Sequence, residues 1–253
     1  MTANMRLVLL VLLFVALAWT LAGCGGGGTV LLTKNDEVQL GQQVAAEFDA
    51  EHNVDRTSPM ARNLDQIGQR IAAASDPPQY PYTFTLVHED VVNAFALLGG
   101  PVYMHQGLID ALGGDTDQIA WVLAHEVSHI QQQHAAKRVE RAVGAELLLE
   151  IVLGKQSASL ATDIIAGLAF QNYSRDQEST SDRLGVKFAH AAGYDASASI
   201  NVLRTFQQIQ GSDPSDVEVL FNSHPGNDDR IRGVERAMDA YGISGAYYTA
   251  GSG

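Results

Sequence analysis

The pentapeptide His125-Glu126-Val127-Ser128-His129 constrains this chain more than any other stretch, because its chemistry works only on a helix. Successive α-helical residues turn by about 100° and rise about 1.5 Å, so His125 and His129 stand about 40° and one turn apart, near enough for both imidazoles to grip one ion. Glu126 points to one side of that pair, where it reaches a water on the metal without ligating the metal itself. Hydrolysis needs that division of labour: a Lewis acid lowers the pKa of its bound water and a nearby carboxylate takes the proton.

The surrounding sequence supports the helix independently. Asp115 with Gln118 makes a capping box, and Ile119, Val122, Leu123 and Ile130 form an apolar stripe at helical spacing. No Gly or Pro occurs from Asp115 to Arg141, so the spacing predicts an uninterrupted helix there. On such a helix His134 lies about 140° round from His129 and cannot share the ion. Five-residue patterns recur by accident, so the motif needs support from elsewhere in the chain.

A catalytic zinc takes three protein ligands and keeps a fourth position open, so a third ligand must come from another segment. Glu178, in Arg175-Asp176-Gln177-Glu178-Ser179-Thr180-Ser181-Asp182, is the candidate, on a second helix packed across the first. Asp182 follows one turn later on the same face, placed to accept the free ring N–H of a ligating histidine and fix its tautomer. The set His125, His129 and Glu178 suits zinc, although two imidazoles and a carboxylate also accept other divalent ions.

The N-terminus specifies a compartment. Arg6 precedes an apolar run from Leu7 to Ala18, and Leu21-Ala22-Gly23-Cys24 follows: a secretory signal over residues 1–23 ending in a lipobox. A transmembrane anchor is the alternative, but a span needs about 20 apolar residues. Cys24 is the chain's one cysteine, which excludes an intrachain disulfide and makes the lipid anchor its simplest role. Residues 24–36 then form the lipidated Cys and a Gly-rich tether, and Gly25 resembles bacterial lipoproteins sorted to the outer membrane, facing the periplasm. Removing the signal takes away Arg6 and moves the formal charge from -13 to -14, which argues against nucleic acid and anionic headgroups as partners.

Hydrophobic residues make up 46% of the 253, enough for one domain with a real core, placed at residues 37–241. The patterning predicts helices over 35–51, 59–74 and 174–191, the last ending at Gly193, and two more around Gly154. Further helices run from Asp195 to about Gln210, over 214–221, and from Asp228 or Asp229 to Tyr241. Strands are predicted at 82–87, 94–97 and 102–105, the last two joined by a tight turn at Gly99-Gly100. His52, His88, His105 and His190 read as surface or satisfied residues. Residues 242–253 read as a flexible tail.

The motifs together carry a resemblance. HExxH followed by Glu178-x-x-x-Asp182 resembles the gluzincin peptidases. Asn93-Ala94-Phe95-Ala96, Tyr173-Ser174-Arg175, Ala192-Gly193-Tyr194-Asp195 and Ser223-His224-Pro225 with Arg230 narrow it to the CAAX prenyl protease-like and HtpX-like metallopeptidases, most similar to soluble periplasmic lipoproteins. Two small departures, Leu98 where Pro is frequent and Ser181 where Ala is, touch only turn geometry and local packing.

The resemblance implies a mainly helical α+β, zincin-like domain with a small sheet, one zinc, Glu126 as general base, and substrate extended along the strand at Asn93, Ala94 and Phe95. It also sets Arg230 and His224 beside the site as substrate-binding or regulatory residues. Held by Pro225 in a loop, His224 would either plug the fourth metal position or steady an oxyanion. The expected function is a lipid-anchored metalloendopeptidase that cleaves protein or peptide substrates in the envelope, in quality control. A periplasmic assembly or chaperone-like factor with little proteolysis, in contact with envelope assembly machinery, is the alternative. A purely structural metal module fits less well, since structural sites are closed by four ligands.

Overall fold

The computed structural model describes residues 32–75, 80–155, 173–210 and 228–247. Its elements are α1 (Lys34–Glu51), β1 (Val54–Asp55), α2 (Pro59–Ala74), β2 (Thr83–Val87), β3 (Ala94–Ala96), β4 (Pro101–His105), α3 (Gln106–Ala111), α4 (Thr116–Gln131), α5 (His134–Val152), α6 (Arg175–Ala191), α7 (Ala198–Gln210) and α8 (Asp228–Tyr241). Four helix starts coincide with side chains that take up the free N–H groups. Thr33 with Asp36 and Ser174 with Gln177 form reciprocal capping boxes at α1 and α6, and Ser58 caps α2 ahead of Pro59. Asp115 accepts from the Asp117 and Gln118 N–H groups at 3.0 Å each and so opens α4.

The four-stranded sheet has the order β1-β2-β4-β3, with β2 parallel to β4 and the outer pairs antiparallel. β1 is too short to show as a pattern in the sequence. β3 lies at the edge, joined to β4 by a turn whose Gly99 has φ 77°. A Cβ at Gly99 would overlap the backbone of Glu37 and Val38, so glycine serves both the turn and the approach of α1.

Every residue of α4 from Ile119 to Ile130 is buried, not only the apolar stripe. α2, α6, α7 and β3 surround it, which explains how two histidines and a glutamate can be shut away from water on one helix. None of the helices among the described residues is long and apolar enough to cross a membrane.

Two expectations change. α4 stops at Gln131, and Gln133, at φ 54° and ψ 36°, turns the chain before α5 begins. No Gly or Pro marks that break. Gly144, at φ 75° and ψ 163°, kinks α5, so a new helical segment follows it toward Gly154, where the first of two helices was expected. The tail is held as far as Tyr247: the Tyr247 hydroxyl donates to Asp115 Oδ2 at 2.6 Å, at the cap of α4, and the Ala246 N–H to Asp195 Oδ2 at 2.8 Å, ahead of α7. Cys24 with residues 1–23, the second helix past Gly154, the helix over 214–221, and His224 lie outside the described residues.

Candidate active site

One turn of α4 brings His125 Nε2 and His129 Nε2 to 2.9 Å from each other. α6, packed across α4, carries Glu178, whose Oε2 is 3.7 Å from His125 Nε2 and Oε1 3.4 Å from His129 Nε2. Donors about 2.0–2.1 Å from a tetrahedral ion stand about 3.3 Å apart, so these separations fit one ion held by three ligands. No other set of three such groups converges in this way among the described residues. All three side chains are buried.

α6 approaches this closely because Gly185 faces α4: a Cβ there would stand 3.2 Å from Trp121 Nε1 and 3.3 Å from the His125 backbone nitrogen. Asp182, one turn after Glu178, places Oδ1 3.0 Å from His125 Nδ1, the ring nitrogen turned away from the metal position. Arg230 on α8 closes the group. It donates to both Asp182 oxygens at 2.8 and 2.7 Å, and its Nη1 lies 2.9 Å from Glu178 Oε2. Burial works to raise the Asp182 carboxyl, but the Arg230 guanidinium and the His125 ring outweigh it and hold its pKa below the ordinary value. Arg230 is thus placed by the structure as the buried counter-ion of the two carboxylates.

Glu126 stands outside the ligand set, buried, lining a small apolar pocket with Ala94, Leu108, Trp121, Val122 and Phe206. Ala94 brings β3 into the lining of that pocket. Asn93, Phe95 and Leu97 form the hydrogen-bonded register with β4, shown by His105 N to Asn93 O at 3.0 Å and Leu97 N to Pro101 O at 2.9 Å. The alternation of an antiparallel pair then turns the peptide groups of Ala94 and Ala96 outward. No further strand lies on that side among the described residues. The Phe95 side chain packs in the core against Phe48 and Tyr103, so this strand has backbone, and not that ring, to offer a peptide. Asn93 is buried as well, and its Oδ1 has no hydrogen-bond partner among the described residues.

A family model, peptidase family M48, matches residues 59–238. The chain belongs to peptidase family M48. It is 32% identical over 148 residues to a putative beta-barrel assembly-enhancing protease of Vibrio cholerae, covering 53% of this chain and 30% of that protein. To the beta-barrel assembly-enhancing protease of Escherichia coli it is 25% identical over 224 residues, 84% of this chain and 46% of that one. To the mitochondrial metalloendopeptidase OMA1 of Schizosaccharomyces pombe it is 25% identical over 179 residues, 70% and 52% respectively. The chain therefore spans about half or less of the curated relatives it matches. M48 peptidases use zinc, and two imidazole nitrogens with one carboxylate oxygen are the donors that ion takes with a position left open.

The M48 site has a third layer that helical spacing alone hides. Because the chain turns at Gln133, His134 swings back, and its Nδ1 lies 2.9 Å from His129 Nδ1. His134 therefore faces the ring it was expected to turn away from. Tyr173 covers the same ring with centroids 3.8 Å apart, and the Arg138 guanidinium sits 3.9 Å from the Tyr173 centroid. Burial pushes the His134 imidazole down to about 3, which keeps it neutral, and raises the Tyr173 hydroxyl above its usual range. Tyr173 had a sequence signal in its Tyr-Ser-Arg motif; His134 had none beyond being a histidine near the site.

Proposed function

We propose that this chain is a zinc-dependent endopeptidase of the cell envelope that cuts damaged or misassembled envelope proteins. One observation carries it: three ligand atoms converge on one metal position while Glu126, on the same helix turn, stays out of the ligand set and opens onto the pocket beside β3. The ion, when held there, supplies Lewis acidity that acidifies water and polarises a peptide carbonyl. Glu126 takes the proton from the attacking water and returns it to the departing amine. Ala94 and Ala96 align an extended substrate by adding it to the edge of the sheet, which selects unfolded segments over folded ones. Asp182 holds the His125 ring, and Arg230 holds Asp182 and Glu178.

The signal pattern ending at Cys24 supports lipid anchoring at the outer membrane with the domain facing the periplasm. The two bacterial relatives are named for beta-barrel assembly, which points to barrel precursors as clients and to contact with the machinery that inserts them. The same names favour a second function, in which β3 holds a client during assembly and cleavage is rare. Zinc-loaded full chain incubated with an unfolded barrel precursor separates these: chelator-sensitive fragments support the peptidase, and an intact precursor that still copurifies supports the holding factor. Mass spectrometry of the membrane fraction tests the anchor, an unmodified Cys24 being the refuting result. His224→Ala tests the proposed plug, which predicts raised proteolysis and faster loss of metal to chelator; an oxyanion role predicts lost turnover with metal kept.

A further inference from the structure

Gln133 is the one non-glycine residue with positive φ among the described residues, and it lies four positions beyond the second metal ligand. Left-handed backbone is unfavourable for a residue with a side chain, so it persists where surroundings impose it. Here they do. The Gln133 side-chain amide donates to Glu37 on α1, a carboxylate 1% exposed that also accepts from the Tyr80 hydroxyl at 3.2 Å. The Gln133 carbonyl accepts from Lys137 N–H at 2.9 Å, which starts α5 in its new direction with His134 as the first helical residue.

The consequence falls on His129. Its Nε2 faces His125 Nε2 and Glu178, so for that nitrogen to present a lone pair to an ion the ring proton must sit on Nδ1 and needs an acceptor. His125 has Asp182 at the corresponding nitrogen. What faces His129 Nδ1 is His134 Nδ1, at 2.9 Å and with the rings inclined by 70°. With its own ring proton on Nε2, His134 accepts there, and the buried surroundings leave water little access.

We propose that His134 is a positioning residue for the metal ligand His129, fixing its tautomer and orientation, and that Glu37 sets His134 in place by holding Gln133 left-handed. The route runs from the first described helix through Glu37, Gln133 and His134 to the ligand, with no contact between α1 and the ion. The inference rests on the zinc site above.

Competition against a chromophoric chelator gives zinc affinity for the full chain, with far-UV circular dichroism confirming that each variant is folded. His134→Leu fills the space without an acceptor and is expected to weaken zinc binding about 10 to 100-fold. His134→Asn puts a carbonyl oxygen near the place of Nδ1 and should recover most of that loss. Equal losses for Leu and Asn, or no loss for Leu, overturn the proposal, since packing alone would favour Leu. Glu37→Leu should weaken zinc binding in the wild-type background but not in Gln133→Gly, because glycine adopts positive φ without a clamp. Losses that simply add would remove Glu37 from the route. A wild-type chain without zinc affinity would overturn the metal site itself, a result distinct from normal affinity that ignores His134.

Discussion

Arg230 grips Asp182 through two parallel hydrogen bonds, Nε to Oδ2 at 2.8 Å and Nη2 to Oδ1 at 2.7 Å, with both side chains buried. The remaining Nη1 reaches Glu178, so one guanidinium offsets both buried carboxylates of α6. Arg230→Met would strand two buried carboxylates, and breaking a buried pair from one side costs about 3–5 kcal/mol. Urea denaturation of the metal-free chain should show a loss of that order. Arg230→Lys should recover little, because an ammonium cannot offer the planar fork. A loss below about 1 kcal/mol would mean that the carboxylates find other partners or protonate.

Glu126 and Glu178 are both buried glutamates at the site, yet their substitutions should part company. Glu126→Gln is expected to keep about one zinc per chain and lose peptide hydrolysis, because its work is proton transfer. Glu178→Ala, like His125→Ala and His129→Ala, should lose the metal. Asp182→Asn should sit between them, with zinc affinity or activity down about 10 to 100-fold. Metal analysis beside a casein assay checks all of these, and a Glu178→Ala chain with unchanged zinc affinity would displace Glu178 as the third ligand.

These contrasts show which parts of the site a sequence can reveal. His125, Glu126 and His129 were legible because helical spacing converts directly into a shared face, Glu178 because a catalytic zinc needs one further ligand from another segment, and Asp182 because it follows one turn later, as an acceptor for a ligating ring N–H should. His134 was not legible. Its position depends on one left-handed glutamine held by a carboxylate 96 residues earlier in the chain, a tertiary effect with no local composition to announce it. Phe95 and Arg230 were found as members of the site's neighbourhood, but whether a side chain faces substrate or core is decided by packing around it. The main helices and the three longer strands followed from periodicity and caps, whereas the two-residue β1 carries too few residues for any period to show.

His105 supplies a pH dependence. Burial pushes its imidazole down to about 4, with Glu89 opposing and His52 assisting, against an ordinary value of 6.5. Between those values the unfolded chain binds a proton that the folded chain does not, so stability rises with pH. The contribution is complete above the unfolded value and is lost as pH falls toward the folded one. The gap corresponds to about 3 kcal/mol at most. Unfolding free energies of wild type and His105→Leu, measured from neutral pH to about pH 4.5, should converge by about 2–3 kcal/mol on acidification. A constant difference would mean that His105 takes up its proton without unfolding.

Gly185 offers the sharpest test that the spacing between α4 and α6 sets the metal site. His125 and His129 ride on α4 and Glu178 and Asp182 on α6, and at Gly185 the two helices meet closely. A Cβ there stands 3.2 Å from Trp121 Nε1 and 3.3 and 3.4 Å from the His125 N and Cα atoms. The indole end has some room to shift, but the His125 backbone is fixed by its own helix, so α6 must give way and carry the carboxylates with it. Two effects compete in Gly185→Ala. Helix propensity favours alanine by about 1 kcal/mol, while overpacking a close contact costs about 1–3 kcal/mol. The net change in stability should therefore be small, or a loss of about 1–2 kcal/mol, whereas zinc affinity should fall about tenfold because donor spacing is disturbed whatever the stability does. Gly233→Ala on α8 is the control, since a Cβ there meets nothing within 4 Å. It should gain up to about 1 kcal/mol and leave zinc binding unchanged. Equal zinc affinity in the two variants would show that the ligand geometry tolerates movement of α6, and the close approach at Gly185 would then serve packing alone.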